Sequence, residues 1–367
     1  MRSLALPPTI PYRLLAGVGG IGAGYFFALE GNHTLGRNES RPARLLEWRD
    51  YCKLHIIAHY VAVLLGADPS GEPFHVLPIG RVGRDATGER LLQEMRPTGM
   101  DLHLVARDPD HPTLLSACFQ YPDGSGGNIT AHNAAAGQLT PAEVDAAEPF
   151  LATAAGRALA LAVPEVPLAA RLRLLQMATR HGALRIGALT VSEVEGAQAL
   201  GLLRYVDLLA VNEDEAAALS GTRFDAERPG VFLDSCAKAL QEQQPGVRIV
   251  VTAGRHGAYA FDGRHWDHCP AAEVPVASTA GAGDALLAGI LCGLVAGLPF
   301  IAPGAPRSRL ADRPLSSALD LGVLLASLSV TSPHTINPEA DAPALLRLSQ
   351  DLGLPLTHRF ETLLASS

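Results

Sequence analysis

Short apolar runs alternate with amphipathic stretches along most of this chain. Apolar segments at about 13–18, 74–79, 101–105, 157–163, 184–188, 206–211 and 248–252 have the length of buried strands. Between and after them, helical periodicity falls at about 52–66, 89–96, 166–180, 213–220, 231–242, 315–330 and 338–352. Such alternation predicts βαβ units, hence an α/β fold with a doubly wound, mostly parallel sheet and helices on both faces. Residues 113–121 alternate, 122–127 turn and 128–132 return, a hairpin with little apolar content on one face that should project from the main sheet. Residues 28–50 are polar and irregular, which predicts a lid, a binding loop or a solvated insertion. The expectation is a single α/β domain over 1–367, with small β lid segments at about 25–50 and 113–132.

From Ala285 to Pro306 the chain has no charge, a length that could span a bilayer. Four glycines and three prolines interrupt it, so a buried helix ending near Gly297 accounts for it better. Among 367 residues, 48% are hydrophobic, which suits a large buried core. The formal net charge of −8 argues against nucleic acid as a partner, because no basic surplus faces a phosphate backbone. Five scattered cysteines without a CxxC pair predict free thiols in a reducing compartment. The apolar patch Ser3-Leu4-Ala5-Leu6 is too short for a signal peptide, so a cytoplasmic protein without a membrane partner is expected.

The densest chemistry sits just before that apolar run, in Ser278-Thr-Ala-Gly-Ala-Gly-Asp284. Glycines there let N–H groups converge, and a helix N-terminus adds partial positive charge, a combination that holds an anion. Asp284 in the first helical turn would repel phosphate but could take a proton from an attacking hydroxyl. An N-capped helix start is the plain alternative. Two more loops lie at strand ends, where ligands bind in such sheets. One is Val211-Asn-Glu-Asp-Glu215, where Glu215 could hold a Mg²⁺-bound water or simply belong to an acidic first turn. The other is Val251-Thr-Ala-Gly-Arg-His-Gly257.

Weaker patterns compete. Gly17-Val-Gly-Gly-Ile-Gly22 matches GxGxxG, but β-like aromatic residues follow where a dinucleotide fold needs a helix. Its glycines are better explained by a strand end that approaches a ligand. His55 and His59, and the cluster His265-Trp-Asp-His-Cys269, have metal-like spacing without a full ligand set. No GxxxxGK[ST] motif occurs.

Taken together, Gly80-Arg-Val-Gly-Arg-Asp-Ala-Thr-Gly88 with Gly99-Met-Asp101, Asp207 to Ala216, Val250 to Gly257, and Thr279 to Asp284 resemble the ribokinase/PfkB carbohydrate kinase family, in the family's order over roughly 12–340. The resemblance implies ATP-dependent phosphorylation of a hydroxyl on a sugar or sugar-like small molecule. Asp284 would be the general base, and the turn Gly281, Ala282, Gly283 and Asp284 the anion hole. Asn212 and Glu215 would organise Mg²⁺, Glu215 through water. Thr252, Gly254, Gly257 and Thr279 would line the ATP site.

The departures fall on the substrate side. The family's substrate-binding aspartate is matched by Gly24, near Gly22. Its glycine pair and following asparagine fall on Cys52 to Ile57. The acid ahead of Thr279 is Ser278, and where that acid helps hold a monovalent cation its loss puts potassium activation in doubt. His33, Arg37, Asn38 and Glu39 in the 28–50 segment are candidate replacements. Lys53, Arg81 and Arg84 would suit a phosphorylated or acidic acceptor. A catalytically silent sugar- or nucleotide-binding regulatory protein on the same fold is the alternative function. A homodimer through the lid is a further expectation, because lid strands with an apolar face often pair between subunits.

Overall fold

A computed structural model describes residues 2–123 and 125–365. Thirteen strands appear among them: β1 (Leu14–Val18), β2 (Gly22–Leu29), β3 (Ala43–Tyr51), β4 (His75–Gly83), β5 (Val105–Asp108), β6 (Leu114–Gln120), β7 (Gly126–Thr130), β8 (Ala158–Ala162), β9 (Leu184–Ala188), β10 (Leu208–Asn212), β11 (Arg248–Thr252), β12 (Ala258–Phe261) and β13 (Trp266–Cys269). Nine form one sheet in the order β13-β12-β11-β10-β9-β8-β1-β4-β5. Its pairs are parallel except at one edge, where β11, β12 and β13 run antiparallel.

Alternate residues of the central strands enter separate cores, because successive side chains of a strand point to opposite faces. Leu14, Ala16 and Val18 join one cluster and Leu15 the other. In β8, Leu159 and Leu161 are separated in the same way from Ala158, Ala160 and Ala162. Helices Leu168–Arg180 and Pro229–Gln241 cover one face. Helices Lys53–Leu65, Ala282–Val295 and Ala318–Ser329 cover the other.

The last two of these cross at contact distance. A Cβ on Gly289 would stand 2.7 Å from Gly322 Cα, so glycine at both positions lets the backbones touch. Helix Ala282–Val295 is buried from Ala285 to Val295, which explains its unbroken apolar sequence. Among the described residues, no helix is long and apolar enough to cross a membrane.

The second sheet has four strands in the order β3-β2-β6-β7. β2 runs antiparallel to β3 and parallel to β6, and β6 pairs with β7 as the hairpin predicted for 113–132. The expectation of irregular chain over 28–50 is wrong for its second half, which is the strand Ala43–Tyr51. Its periodicity is obscured because one face of this sheet meets a polar cavity while the other is exposed and carries Leu45. The strand expected at 101–105 begins only at Val105. The helix expected from residue 89 begins at Ala86, capped by Asp85, which accepts from the Gly88 N–H at 2.8 Å. The glycines 17–22 join β1 directly to β2, so the helix a dinucleotide fingerprint requires is absent.

Candidate active site

Gly281 initiates the helix that carries Asp284. It has φ of 80°, and a Cβ there would stand 2.6 Å from Thr335 O, so only glycine fits the turn. The Ala282 N–H donates to Thr279 O at 3.2 Å, which closes the turn. The Ala282 N–H thus already has an acceptor within the turn. The N–H groups of Gly283 and Asp284 have no backbone acceptor among the described residues, as the first turn of a helix leaves them.

This turn is the wall between two cavities. The larger, about 790 Å³, is lined by Thr279, Ala282 and Gly283 together with Asn212, Thr252 and Gly254. The smaller, about 170 Å³, is lined by Ala280, Gly281 and Asp284.

On the larger side, Asn212 and Thr252 end neighbouring strands in register. Asn212 and Glu215 cap one helix reciprocally. The Glu215 N–H donates to Asn212 Oδ1 at 2.8 Å, and the Asn212 N–H donates to Glu215 Oε2 at 2.8 Å. Burial raises the Glu215 carboxyl above its ordinary value, against its backbone hydrogen bond and the charge of Lys53. Gly254 has φ of 48° and open space where a side chain would stand. Gly257 also lines the cavity, but a Cβ there would meet Cys269 O at 2.1 Å, so packing against β13 already requires glycine.

The volume and open glycine edge of this cavity fit a nucleotide. No group of three or more His, Cys, Asp or Glu among the described residues is placed to hold a metal. A Mg²⁺ that keeps most of its waters and rests on phosphates suits such a donor set. The two histidine patterns are structural instead. His59 is half-buried and desolvation drives its ring down to about 4, while His268 stacks on Tyr259 at 4.3 Å and its Nε2 lies 2.7 Å from His256 O.

On the smaller side, Lys53 Nζ lies 3.5 Å from Asp284 Oδ1, with Asp284 15% exposed. Burial raises the Asp284 carboxyl above the usual carboxylate range, and the Lys53 charge opposes that rise. Glu165, Asp50, Ser116, Asn128 and Thr130 complete the polar wall. Glu165 has φ of 76°, in the left-handed region that a residue with a side chain rarely adopts. Its Oε2 accepts from the Lys53 N–H at 3.1 Å, and so caps a helix whose own N-cap, Cys52, offers no side-chain bond. Burial pushes the Glu165 carboxyl up to about 7 against the attraction of Lys53.

Lys53 therefore lines the cavity, whereas His33, Arg37, Asn38 and Glu39 do not. Glu39 instead organises its own exposed loop, 2.6 Å from Arg41 Nε and 3.1 Å from His33 Nε2. Those bonds bring its carboxyl down to about 2. Gly22 is packed against Cys52 Sγ and Leu114, and Gly24 faces Asp50. Arg81 is committed to Asp108 at 2.7 Å and does not line the cavity. Asp50 and Glu165 escaped the sequence motifs. A signal existed for Glu165, since it lies three residues past the buried β8 run, at a strand C-terminal end.

A family model described as pfkB family carbohydrate kinase matches residues 58–342. A ribokinase of Staphylococcus aureus is 25% identical over 276 residues, 74% of this chain and 80% of that protein. Ribokinase from Giardia lamblia superposes with a TM-score of 0.68 at 17% identity, covering 87% of this chain and 94% of that one. An Arabidopsis thaliana ribokinase complexed with ribose and ATP superposes with a TM-score of 0.66 at 19% identity, covering 97% of this chain and 100% of that one.

Proposed function

Because the chain belongs to the pfkB family of carbohydrate kinases, we propose that it transfers the γ-phosphoryl group of ATP to a hydroxyl of a sugar or sugar-like small molecule, with Asp284 as general base. Membership makes it a phosphotransferase with an alcohol acceptor. The observation that carries the mechanism is the shared wall. One turn presents Gly283 to the large cavity and the Asp284 carboxylate to the small one. ATP in the first and an acceptor in the second would meet at this turn.

Asp284 takes the proton of the acceptor hydroxyl as its oxygen approaches phosphorus. The Gly283 and Asp284 N–H groups, aided by the helix N-terminus, receive the charge that gathers on the phosphoryl oxygens. Lys53 holds Asp284 in its ionised form and adds a positive charge at the same place. Thr252, Gly254 and Thr279 line the nucleotide side, and Asn212 and Glu215 would organise Mg²⁺ there, Glu215 through water. That ion, when bound, neutralises phosphate charge.

The outward face of the small sheet exposes Tyr25, Leu45, Leu115 and Ile129, an apolar patch unusual for a free surface. A homodimer through this face is part of the proposal.

ADP formation by wild type and D284N, over a panel of sugars, sugar phosphates and nucleosides with Mg²⁺, tests the reading. Acceptor-dependent turnover in wild type that D284N loses supports it. ATP binding without any Asp284-dependent turnover replaces it with the regulatory alternative.

A further inference from the structure

Gly24 lies within an extended strand and has no positive φ, so no backbone demand explains a glycine there. Space explains it. A Cβ on Gly24 would stand 2.0 Å from Asp50 Oδ2 and 2.9 Å from Asp50 Cβ. The two residues are paired across β2 and β3, and the register slips immediately beyond them. A bulge there bends the strand and re-aims its side chains. The absence of a side chain at Gly24 is what admits the Asp50 carboxylate.

That carboxylate reaches the small cavity beside Ser116, Asn128 and Thr130. The Cys118 thiol lies 3.5 Å from Oδ2 and is a weak donor. Among the described residues no lysine, arginine or histidine forms an ion pair with Asp50. The Tyr51 N–H and the Thr335 hydroxyl also act on it, and a carboxylate with about four lone-pair sites retains capacity to accept from a further hydroxyl. Asn128 can donate or accept, and Ser116 and Thr130 can do both.

The charge balance of the cavity points the same way. Asp50, Glu165 and Asp284 face it with one ammonium, Lys53, which is already paired with Asp284. With Asp284 paired to Lys53 and Glu165 held partly protonated, the Asp50 carboxylate is the one left without a cation, and an acceptor that carried phosphate or carboxylate would meet like charge there. A neutral polyol would instead donate to the carboxylates. The small volume, about 170 Å³, suits a monosaccharide-sized molecule rather than a large one. Of the residues on which an acidic acceptor was expected, Arg81 pairs with Asp108 and Lys53 with Asp284.

We propose that Asp50, admitted by Gly24, is the acceptor-binding carboxylate of this enzyme, and that it selects an uncharged monosaccharide-sized polyol over phosphorylated or acidic acceptors. This rests on the kinase reading above.

The test compares wild type, D50N and the exchange variant G24D/D50G with D-ribose, D-fructose, D-fructose 6-phosphate and D-gluconate, reading ADP formation at varied acceptor and varied ATP. Wild type should turn over a neutral sugar and neither anion. D50N should raise the KM for that sugar about 10- to 100-fold, the loss of one charge-assisted hydrogen bond, and leave the KM for ATP nearly unchanged. G24D/D50G returns a carboxylate to the same space from the opposite strand and should recover much of the sugar KM, which a merely structural Asp50 would not do. D50S serves if D50N does not fold.

An unchanged sugar KM in D50N, or a preference for fructose 6-phosphate or gluconate, overturns the proposal. So does Asp284-dependent hydrolysis of ATP with no transfer to either neutral sugar, an outcome that leaves the kinase reading standing. Failure of the kinase reading itself looks different: neither transfer nor hydrolysis would depend on Asp284.

Discussion

Lys53 and Asp284 meet at 3.5 Å although they come from the first turns of two different helices. Each helix start borders the same small cavity, so the pair joins that cavity to the Gly281 turn. If Asp284 is the base, D284N should lower kcat about 10²- to 10⁴-fold with little change in the KM for ATP. Steady-state kinetics with a responsive acceptor checks this.

The same pair sets a pH dependence. Burial holds the Asp284 carboxyl above its ordinary range, and only its ionised form can accept the proton. Activity should therefore rise with pH through that raised value and then level. Removing the ammonium in K53M takes away the opposing attraction, so the acid limb should move to higher pH. The midpoint of the kcat/KM profile, read apart from the absolute rate, is the measurement.

Glu165 makes a separate prediction about stability. Its carboxyl lies at about 7 in the folded protein against an ordinary value of 4.5. Between those values the folded state binds more protons than the unfolded one, so this group's contribution is full at acid pH and is lost as pH rises toward 7. Denaturant titrations of wild type and E165Q across that interval should diverge, with wild type losing stability relative to the variant as pH increases.

Gly289 tests the helix crossing. In an exposed helix, Gly→Ala gains about 1 kcal/mol. Here the added Cβ would stand 2.7 Å from Gly322 Cα, and overpacking of that kind costs about 1–3 kcal/mol. G289A should therefore lower the thermal midpoint, contrary to its helix propensity.

Most of the large sheet was legible because its strands are buried on both faces and read as apolar runs, as in Leu14–Val18 and Ala158–Ala162. The turn before helix Ala282–Val295 was legible because its glycines and the helix start lie close together in sequence. The small polar cavity was not. Asp50, Ser116, Thr130, Glu165 and Thr335 come from five separate segments, and tertiary packing alone brings them together. The polar residues that did cluster in sequence, His33 to Glu39, serve one another in an exposed loop.

The apolar back of the small sheet leads to a prediction about assembly. Wild type should show a dimer mass by light scattering at micromolar concentration. L45E/I129E places two charges on that face, at residues 54% and 67% exposed, and should yield monomers with an unchanged circular dichroism spectrum.

Thr335 gives the molecule a mechanical property. Its carbonyl backs the Gly281 turn closely enough to forbid a side chain there. Its N–H donates to Arg49 O at 3.0 Å, and its Oγ1 accepts from the Tyr51 N–H at 3.1 Å. One residue thus pins the end of β3 to the turn that carries Asp284. Any swing of the small sheet must carry this pin along or tear it out, so the Asp284 turn can register from behind whether the sheet over the small cavity is seated.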